Sequence, residues 1–266
     1  MNFNNAIAPG NETNKKIRIG AVSYLNSKPL IYGLENGMMK DEVELIIDYP
    51  SNIAKALLND SIDIGLVPVA IIPQMKEHYI VTDYCISCDG AVESVCLFSD
   101  VPIEEIKTVL LDYQSNTSIL LAQFLLKEYW KTTPAFEKAA EGFIQAIKGT
   151  TAAVLIGDRT FAQRKVSKYC YDLGLAWKLH TGLPFVFAAW VSNKPMTEQF
   201  IEAFNAANEY GLQNLDAVVE KYKAEEIDLK NYYTQFIQYR LNDSKREGLK
   251  QFLNRCSRRE NAVSEI

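Results

Sequence analysis

The chain has 266 residues, 48% hydrophobic and 23% charged, which is ordinary for a folded globular protein and far from a disordered one. A formal net charge of −5 argues against a nucleic-acid partner, which needs a basic stripe. No apolar run reaches the roughly 18 residues that span a bilayer, and five cysteines, an odd number, point to free thiols in a reducing compartment.

Residues 1–16 are rich in Asn and lack the apolar segment of a secretory leader, so they read as a frayed tail on a cytoplasmic protein. Ile17–Val22 is an apolar run predicted as a strand. A Ser/Asn/Lys loop follows, and Pro29 sits where a first-turn proline opens a short helix toward Glu35. Residues 43–47 read as a second strand, Ser51 as the cap of a helix over 52–58, and residues 64–67 as a third strand ending at Pro68, with a helix over 69–75 behind it. This βαβαβα order predicts a mostly parallel sheet covered by helices.

Residues 91–98 form a long extended stretch, after which the pattern restarts. A strand is predicted at 107–112, a long helix at 117–130, a strand at 152–156 and a helix from Asp158. Residues 185–191 are a second long apolar run, and from Thr197 the chain reads as helical to its end in roughly four segments. Two β/α units joined by two extended stretches predict an α/β protein of two lobes connected by two crossing strands. Lobe one takes 1–95 and 190–266, and lobe two, inserted in it, takes 96–189. Such lobes close on a ligand by hinge motion, with the ligand beside the carboxyl ends of the strands.

The polar residues concentrate in loops next to those strands. Ser23-Tyr24-Leu25-Asn26-Ser27-Lys28 is one, Asp112-Tyr113-Gln114-Ser115-Asn116-Thr117-Ser118 another, Gly149-Thr150-Thr151-Ala152 a third and Gly157-Asp158-Arg159 a fourth. Each alone is explained as a helix cap. Together, hydroxyls and helix N-termini facing one cleft suit a small dicarboxylate. The candidate binding residues are therefore Ser23, Tyr24, Ser115, Thr117, Ser118, Thr150, Thr151 and Asp158. Ser94, in the polar pair Glu93-Ser94 of the first crossing strand, is a further hydroxyl that alternation projects toward the cleft; a hinge hydrogen bond explains it equally well. Phe185, Phe187 and Trp190 read as core, one of them available as an apolar wall.

Other features read as structural. Cys85 and Cys88 form a CxxC with no second pair or histidine cluster beside it, and the basic residues from Lys245 to Arg259 read as the solvated face of a terminal helix. His78 and His180, the two histidines, have no Cys, Ser or Asp partner in sequence. Walker, GxGxxG, GxSxG and HExxH patterns are absent, which disfavours nucleotide hydrolysis, nicotinamide chemistry, serine hydrolysis and zinc catalysis.

The segment Ile19-Gly20-Ala21-Val22-Ser23-Tyr24-Leu25-Asn26-Ser27-Lys28-Pro29-Leu30 resembles the opening of the chorismate dehydratase family. Asp63-Ile64-Gly65-Leu66-Val67-Pro68-Val69 and Thr181-Gly182-Leu183-Pro184-Phe185-Val186-Phe187-Ala188-Ala189-Trp190 are similar to the same family, as are shorter matches at 83–86, 95–99, 111–115, 149–151 and 156–159. The resemblance runs over residues 17 to 215. It implies a periplasmic-binding-protein-like (type II) fold with two crossing hinge strands, and a cofactor-free dehydration of chorismate to 3-[(1-carboxyvinyl)oxy]benzoate at the head of the futalosine route to menaquinone. It also implies two catalytic residues, an asparagine of the first loop, matching Asn26, and a serine of the first hinge strand, matching Ser94. The implied partner is the small molecule chorismate, with no nucleic acid, membrane or metal; monomer and homodimer both stay open. Two alternatives remain beside it. One is a solute-binding protein for a small carboxylate. The other is the sister enzyme of the route, which cleaves a cyclic futalosine derivative and relies on a histidine and a different opening loop.

Overall fold

The computed structural model describes residues 16–112, 116–140 and 142–264, so all but the last residue of the tail expected at 1–16, and the candidate Ser115, lie outside the described residues. β1 (Ile17–Val22) has its last four residues buried, on both faces of the strand. Burial on both faces is what the middle of a helix-covered parallel sheet requires. α1 (Lys28–Glu35) carries Pro29 in its first turn, where the missing N–H would have no partner anyway. β2 (Val43–Asp48) pairs in parallel with β1.

α2 (Pro50–Leu58) corrects one expectation. Tyr49 is the N-cap and Pro50 takes the first helical position, so Ser51 lies inside the first turn and caps nothing. The fixed φ of proline is already helical there, and this sets the start. β3 (Ile64–Pro68) is buried throughout. The segment behind it is a 3-10 turn, Val69–Gln74, rather than an α-helix, with Pro73 inside it. β4 (Tyr79–Cys88), a ten-residue strand that the sequence reading passed over, holds Cys85 and Cys88 as buried free thiols.

β5 (Val95–Ser99) and β6 (Thr108–Leu111) precede α3 (Asn116–Glu128) and β7 (Ala135–Lys138). β8 (Thr151–Ile156), α4 (Arg159–Arg164), β9 (Tyr169–Asp172), α5 (Leu173–Thr181) and β10 (Phe185–Ser192) follow. The C-terminal part holds α6 (Glu198–Gln213), α7 (Leu215–Tyr222) and α8 (Leu229–Asn231), which runs into a π-helical turn, Tyr232–Phe236. β11 (Gln238–Arg240) then interrupts a tail expected to be wholly helical, because it pairs with the edge of β4, before α9 (Asp243–Ser264).

The first sheet has the order β11-β4-β10-β3-β1-β2 and the second β7-β6-β8-β5-β9. Both follow one plan. A central strand (β1 or β6) is flanked by two parallel neighbours, and beyond one of these lies an antiparallel strand (β10 or β5) that the chain forms on arriving from the other sheet. The chain leaves the first sheet after Cys88, enters the second at Val95, and returns between Thr181 and Phe185. Residues 185–189, expected in lobe two, pair with β4 and β3 of the first sheet.

The second sheet shows strict alternation. Val95, Leu97, Val109, Leu111, Ala152, Val154 and Ile156 face the large core shared with the first sheet, whereas Cys96, Phe98, Leu110, Ala153 and Leu155 face a small separate cluster. α1 and α6 cross closely through glycines. A Cβ at Gly33 would lie 2.2 Å from the carbonyl oxygen of Ala207, and one at Gly211 only 1.8 Å from that of Pro29. Neither position admits a side chain without moving a helix.

Candidate active site

The carboxyl ends of β1, β3 and β8 and the first turns of α2 and α3 converge on one cavity, with ≈ 490 Å³ of empty space that includes open solvent. Val22, Pro50, Pro68, Ile156 and Gly157 supply the strand-end walls, and Ile86, Phe187 and Ala188 close one side from β4 and β10. Of the three aromatics expected in the core, Phe187 is thus the apolar wall, while Phe185 and Trp190 are fully buried. The polar side chains on the lining are those of Tyr24, Asn26, Ser94 and Ser118; among the described residues that line it there is no Asp, Glu, His, Lys, Arg or Cys.

Asn26 sits in a 3-10 turn, Leu25–Ser27, set at the end of β1. Ser27 Oγ lies 2.6 Å from the Val22 carbonyl and 2.8 Å from that of Tyr24, so its one proton is shared between them and fixes the turn from within. The main-chain oxygen of Asn26 accepts a hydrogen bond from Tyr239 Oη at 3.0 Å. Its side-chain Oδ1 is buried and has no hydrogen-bond partner among the described residues. An orphaned buried acceptor costs about 1–3 kcal/mol, and this one belongs to a residue that lines the cavity.

Ser94 reaches the same cavity, though not by strand alternation. β5 begins only at Val95, and residues 89–94 turn into it. Glu93 adopts the left-handed conformation (φ 63°), and the Asp172 carboxylate accepts the amides of Val92 and Glu93 at 3.0 and 2.8 Å. Arg164 Nε donates to the Glu93 carbonyl at 3.1 Å. The strained turn is thus held from three sides and aims Ser94 inward. Ser94 is 1% exposed; its Oγ accepts a 2.6 Å hydrogen bond from Tyr232 Oη, and the nearest carbonyl for its own proton, that of Val92, is 3.5 Å away.

The other candidates separate. Tyr24 lines the cavity and packs its ring against Gly157, whose absent Cβ would meet it at 2.8 Å; burial pushes its hydroxyl pKa up. Ser118 lines the cavity from α3. Thr117 is buried beside it, but its Oγ1 accepts from the amide of Ala70 at 3.0 Å and so joins α3 to the first sheet. Asp158 accepts the Leu25 amide at 3.2 Å, and burial raises its pKa against the pull of Lys28 and Arg159. It ties the β8 loop to the Asn26 turn and does not itself line the cavity. Ser23 gives its amide to the Asp48 carbonyl at 3.1 Å and stays off the lining. Thr150 and Thr151 are not brought to the cavity: they lie at the amino end of β8, whereas the cavity takes its carboxyl end.

His78 is exposed, and His180 lies in the last turn of α5 with Nε2 3.4 Å from Glu128 Oε2. The tyrosines 232 and 239 were not foreseen. Their segment reads as helical in sequence, and only tertiary contact shows that the Tyr232 hydroxyl meets Ser94 and that of Tyr239 meets the Asn26 carbonyl.

Two lobes built on one strand plan, with a partly open cavity at their strand ends, define a periplasmic-binding-protein-like α/β protein. Residues 17–258 match the menaquinone biosynthesis family, and the chain belongs to it. It is 26% identical to the chorismate dehydratase of Thermus thermophilus over 88% of this chain and 93% of that one, and 26% identical to the chorismate dehydratase of Campylobacter jejuni over 89% and 96%. Among solved structures it is similar to protein AF1704 of Archaeoglobus fulgidus, with a TM-score of 0.75, 15% identity and coverage of 92% and 98%. It also resembles a Candida albicans protein described as having the generic periplasmic binding protein fold, with a TM-score of 0.64, 10% identity and coverage of 91% and 90%.

Proposed function

We propose that the chain is a chorismate dehydratase, a carbon–oxygen lyase that converts chorismate to 3-[(1-carboxyvinyl)oxy]benzoate and water in the cytoplasm, at the head of the futalosine route to menaquinone. The family and the names of the two curated relatives support the activity. The observation that carries it is the cavity wall, which offers the open Oδ1 of Asn26 and the hydroxyl of Ser94 but no ionisable acid or base among the described residues that line it, apart from the phenol of Tyr24.

The chemistry needs little more. The proton on the ether-bearing ring carbon is acidic because the conjugated ring carboxylate can take up the charge. The enolpyruvyl carboxylate hangs from the same carbon and serves as the base. The C–H electron pair enters the ring, the adjacent C–O bond breaks, and the abstracted proton leaves with the hydroxide as water. Aromatisation drives the step. The protein selects the reactive conformer and stabilises charge as it develops. Asn26 Oδ1 accepts from the departing hydroxyl and orients it, and Ser94 donates to a substrate carboxylate. Tyr24 and Ser118 complete the binding surface. The two sheets act as lobes that close over the substrate, with Asp158 on Leu25 and Thr117 on Ala70 as the contacts that form on closure.

The test is incubation of the purified protein with chorismate while the aromatic product is followed by ultraviolet absorbance and chromatography. Turnover to the enolpyruvyl benzoate is expected. Saturable binding of chorismate without product would instead mark a solute-binding protein.

A further inference from the structure

We infer that Tyr232 is a positioning residue that holds Ser94 as a hydrogen-bond donor toward the cavity; the inference rests on the dehydratase reading and extends it to a part of the chain outside the cavity lining. A serine hydroxyl has one proton and two lone pairs, and an unrestrained one rotates to suit its surroundings. Here one lone pair is taken. Tyr232 Oη donates to Ser94 Oγ at 2.6 Å, and among the described residues the carbonyl that meets the Ser94 proton, that of Val92, lies at 3.5 Å, the outer limit of a hydrogen bond. The proton is therefore free to turn to an anionic ligand. A reversed serine would present its lone pairs to that anion and repel it.

Tyr232 is built for this one task. It is 1% exposed, and burial raises its hydroxyl pKa well above the ordinary tyrosine value, so it stays a donor throughout the working pH range. The Phe161 ring meets its ring edge-on, with centroids 5.3 Å apart at 82°. Phe161 belongs to α4, directly behind the β8 loop, so the phenol is clamped between the two lobes. Tyr232 also opens the π-helical turn Tyr232–Phe236, a rare geometry that is frequent at functional sites. The neighbouring Tyr233 supplies an internal control: it is equally buried, but its hydroxyl has no partner among the described residues.

The experiment is a double-mutant cycle on kcat/KM for chorismate with wild type, Tyr232→Phe, Ser94→Ala and the double variant, and with Tyr233→Phe alongside. Tyr232→Phe keeps the ring and its packing. It is expected to lower kcat/KM about tenfold in the wild-type background and to have less than a twofold further effect once Ser94→Ala is present. Tyr233→Phe is expected to stay within twofold. Losses that multiply across the cycle, or an equal loss in Tyr233→Phe, would make Tyr232 a packing residue and overturn the inference. A wild-type protein that leaves chorismate unchanged overturns the dehydratase reading, which separates the two failures. Should Tyr232→Phe not fold, 3-fluorotyrosine at position 232 replaces it in the same cycle. A rate that responds to the more acidic phenol only when Ser94 is present supports the inference, and a response independent of Ser94 overturns it.

Discussion

The two sheets share one strand plan but put it to different uses. After β1, the central strand of the first sheet, the chain makes a turn that leaves the Asn26 side chain open to the cavity. After β6, the central strand of the second, the corresponding polar groups are already engaged. Asp112 is fully buried and paired with Arg159, and Thr117 accepts the Ala70 amide. Asp158, after β8, accepts the Leu25 amide. One fold plan therefore leaves a polar side chain open to the cavity in one lobe and spends its polar groups on contacts between elements in the other. Fold does not fix the use of a loop; the partners of its polar atoms do.

The largest test of this division is Asn26→Ala, expected to lower kcat/KM for chorismate by about 100-fold, because it removes the acceptor that orients the departing hydroxyl at the reacting centre. Asn26→Asp is expected to be as damaging, since it sets a negative charge beside a dianionic substrate. Wild-type kinetics in Asn26→Ala, with a collapse in His180→Ala, would replace the substrate's own carboxylate by a protein base. Ser94→Ala follows, with an expected loss of about 1.5 kcal/mol, roughly tenfold, for one hydrogen bond to a charged group.

How legible these positions were in the sequence depends on what each residue's neighbours reveal. β1, β3, β6, β8 and β10 are apolar on both faces, and such runs stand out without any partner in view. β7 is exposed at all four positions and β11 spans three residues, so neither carries a pattern of its own; the neighbouring strand makes each of them. Asn26 could be found because it lies within a contiguous motif on one loop. Ser94 was found for the wrong geometric reason, since the turn at Glu93 depends on Asp172, which lies far along the chain. The basic run near the C-terminus shows the same limit. Lys245 is buried and donates to the Arg240 carbonyl at 2.7 Å, and Arg255 pairs with Glu128 and lies over the Trp177 ring, where a wholly solvated face was expected.

Two variants sharpen the closure half of the comparison. Thr117→Val is nearly isosteric but strands the buried Ala70 amide, and is expected to lower stability by about 1–3 kcal/mol in a denaturant titration. Asp158→Asn keeps an acceptor for the Leu25 amide and removes a buried charge. Because the folded pKa of Asp158 is raised, the folded protein holds that proton more tightly than the unfolded chain. The wild type therefore loses stability from this group as pH rises from the ordinary carboxylate range through the raised folded value. The melting temperature of Asp158→Asn is expected to gain on wild type over that rise and to hold its lead at neutral pH. A lead that shrank with rising pH would mean that the ionised carboxylate is the favoured partner.

The smallest effect is expected at Thr150 and Thr151, which the loop pattern grouped with the binding residues. β8 rises about 3.3 Å per residue, so Thr151 stands about 16 Å from Ile156, the strand residue that lines the cavity. No single small dicarboxylate bound at Asn26 and Ser94 reaches both ends of that strand. The bonds made here are main-chain ones. The Thr150 carbonyl accepts the amides of Lys107 and Thr108, and the Thr151 amide donates to Lys148, and alanine at either position preserves all three. Thr150→Ala and Thr151→Ala are accordingly expected to change kcat/KM by less than about twofold, the usual range for a substitution remote from any special contact. A tenfold loss with an unchanged melting temperature would place substrate oxygens at the amino end of β8. It would give the second lobe a binding role equal to that of the first and break the division of labour between the two sheets.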